Sequence, residues 1–174
     1  SLLDVATSIM ANQSMNYLVS GQPPVMMGNA HPNLAPYAVF DCADGWIILA
    51  TGNDGQYRRL CGLLGLADMA EATDFATNAD RIANRVELTR RITEATRRWS
   101  KSDLLSACEA QGVPAGPIND LAEVFADPQV LAREMQIAPD GVPGVRSPMT
   151  FSGAELALDR PAPKLGEHQD EVLG

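Results

Sequence analysis

This chain is short of the residues on which much protein chemistry depends. Its three cysteines, Cys42, Cys61 and Cys108, are widely separated and include no C-x-x-C pair, so neither a disulfide framework nor a structural zinc site is expected. Apolar neighbours surround all three, which predicts buried packing in preference to reactivity. Two histidines, His31 and His168, make no ligand cluster for a transition metal. No serine falls in G-x-S-x-G, and His168 beside Asp170 and Glu171 is a tail feature of short spacing; a nucleophilic triad has no support. The P-loop and G-x-G-x-x-G fingerprints of nucleotide binding are missing as well.

Long apolar runs are equally scarce. The longest, Trp46–Ala50, is far below the roughly 20 residues needed to cross a bilayer, and no basic-then-apolar segment opens the chain. Thirteen basic residues face 22 acidic ones, a net charge of −9, which repels nucleic-acid phosphate and anionic lipid. The expectation is a soluble, cytoplasmic protein with no nucleic-acid or membrane partner, no metal and no covalently bound cofactor. Its 174 residues suffice for one domain that buries about 70% of its unfolded surface.

What is present concentrates between Gly28 and Cys61, GNAHPNLAPYAVFDCADGWIILATGNDGQYRRLC. Two short strands, Tyr37–Cys42 and Trp46–Thr51, are expected on either side of Ala43-Asp44-Gly45, because Asp-Gly is a strong hairpin signal. Asn53 or Asp54 is placed to cap a helix whose apolar face runs through Leu60, Cys61, Leu63 and Leu64 to a stop at Gly65. Before this, Leu3, Ala6, Ile9, Met10, Met15 and Leu18 mark one face of a helix ended by Gly21. After it, Asn78 is expected to cap a longer helix carrying Ile82, Val86, Ile92, Ala95 and Trp99. Ser102 is expected to cap Asp103–Gln111, closed by Gly112. Val113–Ile118 reads as extended, Asp120–Phe125 and Pro128–Glu134 as short helices, Gly141–Gly153 as irregular β-structure and Gln169–Leu173 as a last helix. The fold class is α/β, an α+β hairpin-and-helix domain. Apolar faces on the first and last helices call for a further domain to cover them.

Two loops could meet a ligand. Gly28, Asn29, Ala30, His31 and Asn33 form a small-residue loop where a backbone can approach a ligand closely, with exposed N–H groups and two polar side chains to hold a carboxylate or thioester oxygen. The plainer reading of this loop is a connector. Gly52–Gly55 enters a helix, where the dipole favours anions, but Asn53 and Asp54 are also ordinary caps and Asp54 repels an anion. Arg81, Arg85, Arg90, Arg91, Arg97 and Arg98 crowd one helix, with Glu87 before Arg91 and Glu94 before Arg98 at favourable spacing. A solvated face is expected there. Asp41 and Asp44 flank the hairpin turn and read as exposed, not catalytic.

Several motifs also carry a family resemblance: HPN-x-APY at His31–Tyr37, DG-W-x-x-LA at Asp44–Ala50, GND-x-Q-x-x-x-LC at Gly52–Cys61, NR-x-EL at Asn84–Leu88, VP-x-GP-I at Val113–Ile118, Asp127-Pro128, FSG at Phe151–Gly153 and LGEH at Leu165–His168. In this order they resemble the class III CoA-transferases, the CaiB/BaiF family. That resemblance implies an interlocked homodimer, each chain with a large Rossmann-like domain and a small domain. Residues 1–30 would then be helix and linker from the large domain, 31–118 the small domain and 119–174 a segment returning to the large one.

The chemistry implied is transfer of coenzyme A, bound as a thioester substrate, from an acyl-CoA to a carboxylic acid. An aspartate lying upstream of Ser1 would attack the thioester, so this chain by itself would hold no catalytic residue and be inactive. The loop covering the intermediates maps to about Ala30–Leu34; it is not the glycine run of the oxalate-using branch, which points to a bulkier acid. Acyl-CoA racemases of the same family are an alternative, and Asp54 would stand behind the active site in either branch. A non-catalytic CoA-ester-binding module is the other alternative.

Overall fold

The computed structural model describes residues 1–174 and divides into two units, Ser1–Ile118 and Asn119–Gly174. The first unit opens with α1 (Leu2–Ile9) and α2 (Ala11–Ser20). A single helix was expected here, but the backbone of Ala11 turns left-handed, with φ of 42°, and splits it. Gly21, at φ 69°, ends α2 as expected. Ser1 and Asp4 form a reciprocal capping box on α1. Nothing in either helix is buried.

The hairpin follows. Strand β1 (Tyr37–Cys42) pairs antiparallel with β2 (Gly45–Ala50), in register from Tyr37 opposite Ala50 to Cys42 opposite Gly45. The second strand therefore starts one residue earlier than the sequence suggested. Gly45 is required there: its φ is 146°, and a Cβ would lie 2.8 Å from the Lys101 side chain. Period-two alternation turns Ala38, Phe40 and Cys42 of β1 and Ile47 and Leu49 of β2 to the inside.

Helix α3 (Asp54–Leu64) packs Tyr57, Leu60, Cys61 and Leu64 inward and ends at Gly65 in the left-handed conformation. Helix α4 (Ala67–Glu71) and a 3-10 turn, Thr73–Phe75, then bring Met69 and Phe75 into the core. The long helix expected from Asn78 is two: α5 (Asn78–Ala83) and α6 (Arg85–Thr96). Asn84 separates them, its side-chain amide donating to the carbonyls of Asp74 and Asp80; a side chain competing for backbone partners favours such a break. The cap is Thr77, not Asn78, because Thr77 and Asp80 satisfy each other's backbone N–H groups. Val86, expected inside, is 87% exposed, and Leu88, Ile92 and Ala95 form the buried face.

Helix α7 (Lys101–Ala110) is capped by Ser100, two residues before the Ser102 expected, since the Ser100 hydroxyl reaches the Asp103 N–H. Asp44 of the hairpin turn accepts from the Lys101 N–H and ties that helix start to the sheet. Strand β3 (Ala115–Pro117) completes a three-stranded antiparallel sheet ordered β1-β2-β3. Proline is tolerated at that edge, where no ladder donor is missed.

The second unit holds α8 (Leu121–Ala126) and α9 (Pro128–Ala132), capped by Asp120 and Asp127. Strands β4 (Gln136–Ile137) and β5 (Gly144–Val145) form a two-stranded ribbon, and α10 (Gln169–Leu173) closes the chain. Of the irregular β-segment expected at 141–153, only β5 is strand; its partner lies before it. No helix of the molecule is long and apolar enough to cross a membrane.

Candidate functional site

The Gly28–Asn33 loop runs along the free edge of β1. The His31 N–H donates to the Tyr37 carbonyl at 2.9 Å, and Asn29 Oδ1 accepts from the Val39 N–H at 3.0 Å. Both groups lie on the side of β1 away from β2, so the loop covers a strand edge that would otherwise be open. The Ala30 N–H turns back to the Met27 carbonyl, and the Asn33 N–H donates to His31 Nδ1 at 3.0 Å. The backbone donors of Ala30, His31 and Asn33 are thus engaged, the first two by carbonyls that flank the loop. Asn33 Nδ2 is engaged too, 3.0 Å from Asn16 Oδ1.

What the loop offers is the histidine. Because Nδ1 accepts from a backbone N–H, the neutral ring carries its proton on Nε2. The ring stacks on Tyr37, with centroids 5.0 Å apart and planes 23° apart. His31 is a held, half-buried Nε2–H donor.

One stripe of side chains fixes the loop from below. Asn78, Arg81 and Arg85 recur at helical spacing across α5 and the start of α6. Asn78 accepts from the Ala35 N–H at 3.1 Å and donates to the Asn33 carbonyl at 2.8 Å. Arg81 Nε donates to the Ala35 carbonyl at 2.7 Å, and Arg85 Nη2 to the Pro32 carbonyl at 3.2 Å. From the other side, Thr51 Oγ1 donates to the Pro36 carbonyl at 2.8 Å. The backbone from Pro32 to Pro36 is pinned at four carbonyls.

Arg81 corrects the solvated face expected of this arginine-rich stretch. It is 1% exposed and nearly every donor it has is used. Nη1 reaches the Phe75 carbonyl at 3.0 Å and Nη2 reaches Asp54 Oδ1 at 2.7 Å, while the guanidinium carbon lies 4.5 Å from the centre of the Tyr57 ring. A buried cation persists only when paired and hydrogen-bonded in this way. Asp54 is therefore the counter-charge of Arg81, and Asn53 is the cap of α3, its side chain accepting from the Gln56 N–H at 2.9 Å. Gln56 in turn takes up the Gly52 N–H. The outer arginines do form ion pairs, but not the expected ones: Arg90 bridges Glu87 and Glu94, and Arg91 reaches across to Asp68 on α4.

A match to the family model for CoA-transferase family III extends over residues 1–169. The chain belongs to CoA-transferase family III. It is 54% identical to a succinate–glutarate CoA-transferase of Agrobacterium fabrum and 33% identical to a human succinyl-CoA:glutarate CoA-transferase, each over 99% of this chain. It spans less than half of those relatives, 44% and 41% of their lengths. Among solved structures, a CaiB/BaiF family protein from Brucella suis superposes with a TM-score of 0.85 at 51% identity, over 99% of this chain and 46% of that one.

The remaining chemistry-bearing residues of this family member sit elsewhere. Cys42, Cys61 and Cys108 are buried and unpaired, as expected. Burial pushes all three thiols up, Cys108 to about 11. Asp41 accepts from Trp46 Nε1 and from Arg97, whose guanidinium holds the carboxyl below the usual range. Asp41 and Asp44 brace the hairpin turn. Sequence reasoning missed Asn78 and Arg81 as partners of the loop. The signal available was their spacing with Arg85, which only the loop's position makes legible.

Proposed function

We propose that this chain is part of an enzyme that moves coenzyme A between an acyl-CoA and a short dicarboxylic acid of the succinate or glutarate kind. The observation that carries the reading is the pinned loop, in which the half-buried His31 ring is fixed through Nδ1 and Arg85 holds the neighbouring Pro32 carbonyl, in a chain 54% identical to a succinate–glutarate CoA-transferase. A bulkier acid than oxalate also fits a loop without a glycine run.

In this reading the nucleophile is an aspartate upstream of Ser1, in a large domain, and two chains form the working homodimer. Its carboxylate attacks the thioester carbonyl, CoA leaves as the thiolate and a mixed anhydride forms. The thiolate then attacks the aspartyl carbonyl, releasing the first acid and leaving an enzyme thioester. The second acid repeats the sequence in reverse. Residues Gly28–Asn33 line the acid side, where a fixed donor stabilises carboxylate and anhydride oxygens without reorganising. Asp54, through Arg81, keeps that wall in place.

Thioester exchange tests this. The polypeptide that includes the upstream segment, given succinyl-CoA and glutarate, should yield glutaryl-CoA and succinate, and residues 1–174 alone should yield none. Turnover by residues 1–174 alone would put the nucleophile within them and overturn its placement. No new CoA ester with any acid would overturn the transferase reading.

A further inference from the structure

Arg85 differs from the other arginines around the loop. Arg81, Arg90, Arg91 and Arg97 each contact a carboxylate. Arg85 is half-buried and contacts none; its one hydrogen bond is from Nη2 to the Pro32 carbonyl. The acids nearest in sequence are committed elsewhere: Glu87 to Arg90, and Asp80 to Thr77. Burial without a counter-charge pushes the guanidinium down from its ordinary value. A guanidinium has five donors in a fixed fork, so one backbone carbonyl leaves most of them unanswered. Desolvating a cation that lacks an acidic partner is unfavourable unless something anionic completes the site.

The partner is indicated by place. Pro32 lies between His31, whose ring is fixed through Nδ1, and Asn33. We infer that Arg85 is a specificity-determining residue that receives the second carboxylate of a dicarboxylic acid, the one that does not react, on the face of its guanidinium left open by Pro32. This rests on the transferase reading above and adds to it the group that tells a dicarboxylate from a monocarboxylate. The fork geometry suits a carboxylate in two-point contact, which an ammonium does not reproduce.

The test uses the whole enzyme carrying this chain, with succinyl-CoA as donor throughout and glutarate or valerate as acceptor. These acids have the same carbon count and differ by a terminal carboxylate against a methyl. In Arg85→Gln, the glutarate-to-valerate ratio of kcat/KM should fall about ten- to a hundredfold, the size of a lost charge-assisted contact, on top of whatever loss the missing Pro32 contact imposes on both acids alike. Arg85→Lys, which keeps the charge without the fork, should give an intermediate glutarate-to-valerate ratio, and it decides the matter should the Gln variant not fold. An equal loss for both acids would make Arg85 only a clamp on Pro32 and overturn the assignment. If the unaltered enzyme transfers CoA to no acid, the transferase reading fails and takes the assignment with it.

Discussion

Residues 35–113 and the segments on either side of them are built from similar sequence patterns, yet they end differently. Every fully buried apolar side chain lies between Ala35 and Val113, whereas α1, α2 and the whole of Asn119–Gly174 bury none. Leu2 and Leu18 are 91% and 71% exposed, while Leu49 and Ile92 are fully enclosed. Local signals do not separate the two: α1 has its capping box and α2 its glycine stop, as good as those of α3. The difference is a sheet face to pack on. Caps and periodicity decide that a helix forms; only a facing apolar layer decides that it contributes to a core.

The sharpest way to break that contrast is inside the packed region. Arg81→Met removes the partner of Asp54 and orphans the buried carbonyls of Ala35 and Phe75, and should cost about 3–5 kcal/mol in a urea unfolding curve. Ile92→Ala should cost about 2–5 kcal/mol, while the same truncation at Leu18 should stay within about 0.5 kcal/mol. Equal losses at Ile92 and Leu18 would erase the distinction.

Smaller effects sharpen it through pH. Arg97 lowers the Asp41 carboxyl, so that pair adds stability above the unfolded aspartate value near 3.9 and loses it as pH falls through the lower folded value. Asp41→Asn should therefore flatten the acid limb of the stability profile, by less than about 1 kcal/mol because the pair is solvent-screened. Buried thiols run the other way. With Cys108 pushed to about 11, its protonated form is the stable one, and that stability declines as pH rises past the free thiol value near 8.5. At pH 8, mass spectrometry should find no alkylation of Cys42, Cys61 or Cys108 until denaturant is added; ready labelling of the native protein would contradict their burial.

Much of the packed region was legible because its signals are local. Asp44-Gly45 announced the hairpin, Asn53 the start of α3 and Gly65 its end. Helix starts were displaced where two candidates stood close together: Thr77 outcompetes Asn78 because Asp80, three positions on, returns a bond to the Thr77 N–H, and Ser100 takes the place of Ser102 because its hydroxyl reaches the Asp103 N–H. The break at Asn84 depends on carbonyls that its side chain finds only after folding. Arg81 was illegible for the same reason. An arginine among arginines reads as surface, and nothing near it in sequence says that Ala35, 46 positions earlier, will present a carbonyl there. The loop's residue types were visible; that the backbone donors of Ala30, His31 and Asn33 are already engaged was not.

In the proposed function, the pinned Gly28–Asn33 loop presents His31 to the acid substrate. The direct measurement is transfer of CoA from succinyl-CoA to glutarate by the enzyme carrying His31→Ala, alongside its Tm. Loss of one fixed donor should lower kcat/KM for glutarate by about tenfold with Tm little changed, since the ring is only half-buried. Unchanged kcat/KM would contradict the claim and leave the loop as cover for β1.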